Sequence, residues 1–233
     1  EEFAQRVKNA QRLMVERGID VMFAFANEAE PQFVRYLSDY WPSFETAGVM
    51  FGQTGDSVLL IGPESMTYAS DRSKIRDIRK IKCLRESSNP EYPGHKLDTF
   101  EEVLEDVGGG RVDTIAVAGY NLMPKIVYDD LSSAAAKMGK GSIVRGDELI
   151  MQLRMVKSPA EIACLKKAGE ITVKGLENQL KYIKPGMTEQ QVVGLAMEAI
   201  YANGGEMEAY PFWALAGHGS NQAISRPRGK VIE

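Results

Sequence analysis

The chain has 233 residues, 44% hydrophobic and 26% charged, a formal net charge of -4 and a pI near 5.5. That composition suits one large domain, or one domain and part of another, and argues against disorder. An acidic chain with no long Lys/Arg run offers no broad attraction for nucleic acid, and its longest apolar stretches, Val21 to Ala26 and Val58 to Ile61, fall far short of the ~20 residues of a membrane-spanning helix.

Phe3, Val7, Ala10, Leu13 and Met14 recur at helical steps and are followed by Gly18, a helix-ending glycine. The dense run Ile19 to Ala26 predicts a strand covered on both faces. A short helix at 31–38 and strands at 48–52 and 57–62 come next, the last two joined by Gln53-Thr54-Gly55-Asp56, which has hairpin chemistry. Beyond them the sequence predicts a basic helix over 73–80, a strand over 81–85, a helix over 98–107, a strand over 114–118, a helix over 124–138 and a strand over 142–145. Helices alternating with short strands, one hairpin among them, predict an α/β fold: a mixed sheet flanked by helices. Val21, Phe23, Phe25, Leu59, Ile61, Ile115 and Val117 are expected in its core. Cys83 and Cys164 lack the paired spacing of a disulfide framework or zinc knuckle and read as reduced thiols of a cytoplasmic protein. Glu1-Glu2-Phe3 carries no targeting segment and no initiator Met, and reads as a shortened start or one whose native N-terminus lies upstream.

After Asp147 the pattern turns helical. Ser158-Pro159-Ala160-Glu161 is a capping box with proline in the first turn, and Thr188-Glu189-Gln190-Gln191 is a second. Ile162, Leu165, Gly169, Thr172, Leu176 and Leu180 trace one apolar face, and Val192, Leu195, Ala196, Ala199 and Ile200 another, across a turn at Lys184-Pro185-Gly186. This helical hairpin belongs to a different architecture, so the boundary is expected between 1–152 and 153–233.

The run from Leu153 to Thr172, Ile183 to Val192, and Ala209 to Gly217 followed by Asn221 resembles the opening of the pita-bread α+β catalytic domain of the creatinase, prolidase and aminopeptidase P family. Ile19 to Ala26 and Val34-Arg35-Tyr36-Leu37-Ser38 resemble that family's N-terminal domain. The resemblance implies a metal-dependent Xaa-Pro dipeptidase or aminopeptidase acting on small peptides. It further implies two divalent ions (Mn, Co or Zn) held by two aspartates, a histidine and two glutamates, all expected beyond Glu233, so that the chain alone is expected to be inactive and metal-free. It implies a homodimer in which the N-terminal domain caps the partner's active site, and a strand over 209–217 entering the site. A creatinase-like metal-free amidinohydrolase, another small-molecule hydrolase or lyase on this fold, and a non-catalytic dimerisation module remain as alternatives.

Two residues are singled out as candidate catalytic groups. Arg226 stands where the family places a histidine; it cannot shuttle protons at neutral pH but can clamp a carboxylate. His218, in Gly217-His218-Gly219-Ser220-Asn221, lies close by, with no second His, Cys or paired acid at ligand spacing. His95 reads as a surface-loop residue. Glu161, Glu170 and Glu177, interspersed with lysines, read as a solvated face. Tyr36, Tyr40, Trp41 and Phe44 read first as packing, and by the resemblance as neighbours of the partner's active-site entrance. With the pita-bread sheet expected beyond Glu233, the two helical stripes are expected to drive self-association or to leave the C-terminal segment poorly ordered.

Overall fold

The computed structural model describes residues 1–233, which divide into two units, Glu1–Val156 and Lys157–Glu233. The first begins with α1 (Glu2–Arg17), which ends where Gly18 adopts a left-handed φ of 65° and its N–H reaches the Met14 and Val15 carbonyls; a residue with a Cβ is strained in that conformation. The chain continues through β1 (Val21–Ala26), α2 (Gln32–Ser38), β2 (Ala47–Gly52), β3 (Val58–Ile61), α3 (Met66–Arg72) and β4 (Ile78–Lys80). It then passes through α4 (Phe100–Gly108), β5 (Thr114–Ala118), α5 (Lys125–Met138), β6 (Ser142–Arg145) and α6 (Asp147–Met155). The expected boundary after Gln152 falls inside α6.

The six strands lie in the order β4-β3-β2-β1-β5-β6. The β1/β2 and β2/β3 pairs are antiparallel, and β1/β5, β5/β6 and β3/β4 are parallel, which is the mixed sheet the sequence predicts. Alternation along the strands divides the core in two. Met22, Ala24, Val49, Phe51, Leu59 and Ile61 face α1, α2 and α6, while Val21, Phe23, Phe25, Met50, Leu60 and Val117 face α4 and α5. All seven expected core residues are fully buried. Phe23 meets Phe100 edge-on, with ring centroids 5.5 Å apart. Its ring covers Gly48, where a Cβ would come within 2.1 Å of Phe23 Cε2. At the strand entries, the Asp20 carboxylate accepts from the Asp113 and Thr114 N–H groups at 2.8 and 2.9 Å, setting the start of β5 beside β1.

Two local expectations give way. The basic segment expected as a helix over 73–80 leads instead into strand β4, pairing Leu59 with Ile78 and Ile61 with Lys80. The strand expected over 81–85 is a short 3-10 turn, Lys82–Leu84, and the helix in this region lies earlier, at α3. An edge strand is commonly guarded by charge, and Arg79 and Lys80 give it the polarity of a surface helix; Arg79 is held by Asp77 at 2.9 Å and Asp106 at 2.6 Å.

In the second unit, α7 (Pro159–Tyr182) and α8 (Glu189–Ala202) each open on the expected capping box. Ser158 Oγ accepts from the Glu161 N–H and Thr188 Oγ1 from the Gln191 N–H. The face that α7 turns toward α8 is not the one its large apolar residues mark. Ile171, Gly175 and Gln179 are buried there, whereas Leu165, Leu176 and Leu180 are 59%, 52% and 70% exposed. Close approach decides this: a Cβ on Gly175 would lie 3.2 Å from Ile200 Cγ1, and Gln179 Nε2 donates to the Val192 carbonyl at 3.0 Å. Val192, Ala196 and Ile200 supply the other half.

The strand expected over 209–217 is absent; this stretch is irregular and ends in a 3-10 turn, Gly217–Asn221. A strand exists through its ladder, and the pairing in this unit is a single antiparallel bridge, Thr188 to Val231, flanked by hydrogen bonds from Gly186 N–H to Ile232 O and from Ile232 N–H to Met187 O, both 2.8 Å.

Candidate functional site

The residues that resemble an active-site approach lie between α8 and the C-terminal segment of the second unit. His218 sits on the Gly217–Asn221 turn with its ring exposed, and Arg226 is exposed in the extended stretch before Pro227. Neither side chain makes a hydrogen bond or ion pair within the chain, so both are available to a ligand, and the structure brings them into one loop without bonding them to each other.

What organises this loop is a residue noticed in the sequence only as part of a capping box. Glu189, the first residue of α8, is fully buried. Its Oε1 accepts from the Ala216 N–H and its Oε2 from the Arg228 N–H, each at 2.9 Å. The Ala216 N–H first, and then that of Arg228, hold this carboxyl below the usual carboxylate range, with the charges of Arg228 and Lys230 adding to the effect. An acid at a helix N-terminus is ordinary enough on dipole grounds; the sequence signal was there, but nothing in it marks the acid as buried.

The other candidates separate. Tyr40 is core, 1% exposed, and burial pushes its hydroxyl up to about 12. Tyr36 lies under the Arg6 guanidinium, 4.5 Å from its ring centroid. Trp41 donates to the Glu28 carbonyl at 2.8 Å and is covered by Arg35. Phe44 alone projects, 85% exposed and at a left-handed φ of 62°. His95 is exposed on its loop, and Glu170 and Glu177 are exposed on α7, whereas Glu161 is half-buried and accepts from the Ser158 N–H at 2.9 Å in the capping box. Cys83 is largely covered; burial, and then Asp130, push its thiol well up, away from nucleophilic chemistry. Nowhere do three His, Cys, Asp or Glu side chains converge so as to hold a metal ion, so these residues do not by themselves fit a two-metal centre. No helix is long and apolar enough to cross a membrane.

The chain thus carries an α/β unit with a mixed six-stranded sheet, followed in sequence by a helical hairpin with a capping box on each helix. Residues 6–156 match the family model "Creatinase/Prolidase N-terminal domain" and residues 163–233 match "Metallopeptidase family M24". The chain belongs to the creatinase/prolidase/aminopeptidase P family. It is 23% identical over 216 residues to an Xaa-Pro dipeptidase of Pyrococcus furiosus, an alignment covering 93% of this chain and 53% of that protein. Against an Xaa-Pro aminopeptidase of Escherichia coli the identity is 28% over 116 residues, 45% of this chain and 26% of the relative. Among solved structures, the prolidase of Pyrococcus horikoshii OT3 superposes with a TM-score of 0.73 at 20% identity, covering 98% of this chain and 57% of that one. The chain thus spans about half the length of the curated dipeptidases it matches.

Proposed function

We propose that this chain is the N-terminal half of an Xaa-Pro peptidase, a metal-dependent exopeptidase that hydrolyses small peptides containing proline. The observation that carries the reading is order: a creatinase/prolidase N-terminal match is followed directly by an M24 match on one chain, and the alignment to an Xaa-Pro dipeptidase runs through 93% of it. On this reading two divalent ions, held by residues outside these 233, would supply Lewis-acid and water-activating chemistry to the reaction. Residues 1–152 form the capping and dimerisation domain and 153–233 open the catalytic domain. His218 and Arg226 approach the substrate from the 216–228 loop, with Arg226 suited to grip a peptide carboxylate through its planar fork. Exposed Leu165, Leu176 and Leu180 on α7 support burial against further protein, within the longer chain or in a homodimer.

The test is hydrolysis by the full-length protein of an Xaa-Pro dipeptide, with Mn or Co added and with chelator as the control. Metal-restored cleavage is expected, together with sedimentation as a dimer. Turnover of creatine, or of no amide at all with metal bound, overturns the assignment.

A further inference from the structure

Glu189 heads a helix, yet its carboxylate is wholly shielded from water and both its oxygens are engaged by backbone amides far apart in sequence, Ala216 and Arg228. A buried charge persists only where other groups replace its hydration. Here two N–H donors do so, at the positive end of α8. Lys230 tightens the same point: its Nζ donates to the Ala216 carbonyl at 2.7 Å, and its own carbonyl accepts from the Glu189 N–H at 3.0 Å. Gly217 to Pro227 therefore form a loop whose two feet meet on one side chain. Inside it the bonds are few. Gly219 N–H reaches Ala216 O, Gln222 N–H reaches Gly219 O and Ser220 Oγ reaches Gly217 O, while residues 223–226 make none.

We propose that Glu189 is the positioning residue of this loop, fixing where His218 and Arg226 are presented. Presentation to a peptide substrate rests on the function proposed above; the pinning of the loop does not.

Glu189→Gln keeps the size of the side chain but sets an amide donor against one of the two backbone donors. The chain has two histidines, so a proton NMR spectrum contains two imidazoles, with His95 in the other unit as internal control. In the variant the His218 resonance is expected to shift as the loop leaves its pinned position, and the Ala216 and Arg228 amides to exchange about tenfold faster or more. His95 and the inner amides of α8 stay as they were. An unmoved His218, or α8 loosened by the same factor as the loop, overturns the proposal, because the second pattern is that of a helix-start residue alone. If Glu189→Gln does not fold, exchange in the unsubstituted chain decides. Pinned feet share one protection factor and lose it together on acidification, and unrelated rates overturn the proposal. These readouts use the 233-residue chain and no peptidase assay, so they separate failure of the pin from failure of the functional reading.

Discussion

Gly48 shows how a single hydrogen atom sets the packing of the sheet. Phe23 is fully buried and braced by Phe25 and Phe100, so its ring has nowhere to retreat from a new Cβ at 2.1 Å. Gly48→Ala is expected to destabilise the chain by about 1–3 kcal/mol, as overpacking does. Adding Phe23→Leu should cost less than the two single changes summed, because neighbours in contact do not add; urea titrations of the three variants check this. Glu189 gives a pH-dependent counterpart. Its folded-state pKa lies below the ordinary value, with the amides of Ala216 and Arg228 and the charges of Arg228 and Lys230 facing it. Its contribution is therefore complete above about pH 4.3 and is lost as pH falls through the depressed value. Hydrogen exchange at Ala216 and Arg228, followed from pH 6 downward (about the range where the carboxylate is ionised), should show protection disappearing below the ordinary carboxylate range and not above it.

At the scale of elements, helix α4 begins on a capping box in which Thr99 Oγ1 accepts from the Glu102 N–H at 3.2 Å and the Glu102 carboxylate accepts from the Thr99 N–H at 2.8 Å. Thr99→Ala removes one of these acceptors and is expected to cost about 1 kcal/mol in chemical denaturation. Elements with this kind of local signature were legible in the sequence: the capped helices, the buried strand Val21–Ala26 and the antiparallel hairpin between β2 and β3. The rest depended on partners. Arg79 and Lys80 belong to an edge strand because β4 has a strand, β3, on one side only, which no local pattern reveals. Leu165, Leu176 and Leu180 spell a buried face, whereas the smaller Gly175 lets α8 approach on another side. Of the candidate site, His218 and Arg226 were visible as residue types in a suggestive place. The carboxylate that gathers their loop was not, since its importance comes from amides remote in sequence.

For the whole molecule, both halves of the sheet's core are assembled from residues of the first unit. A chain of residues 1–156 is accordingly expected to keep its fold and to unfold in one cooperative step, with a urea m-value on the order of 1–3 kcal/mol/M. Loss of the cooperative transition, measured by circular dichroism, would mean that the second unit is required for the first to form. The second unit has the thinner core, with Ile171, Val192, Ala196 and Ile200 as its buried apolar side chains. It should be the first to open in native-state exchange.

The strand order has a kinetic consequence. β1, β2 and β3 are consecutive in sequence and adjacent in space, while β5 reaches β1 by pairing Val21 with Ile115 across α2, α3 and α4. Closing that longer loop costs more entropy before any contact rewards it, so the antiparallel meander is expected to be the nucleus and the β5/β6 half to dock after the rate-limiting step. In stopped-flow experiments Leu59→Ala should then chiefly slow folding and Val117→Ala chiefly speed unfolding; the reverse pattern would place the nucleus on the parallel side of the sheet.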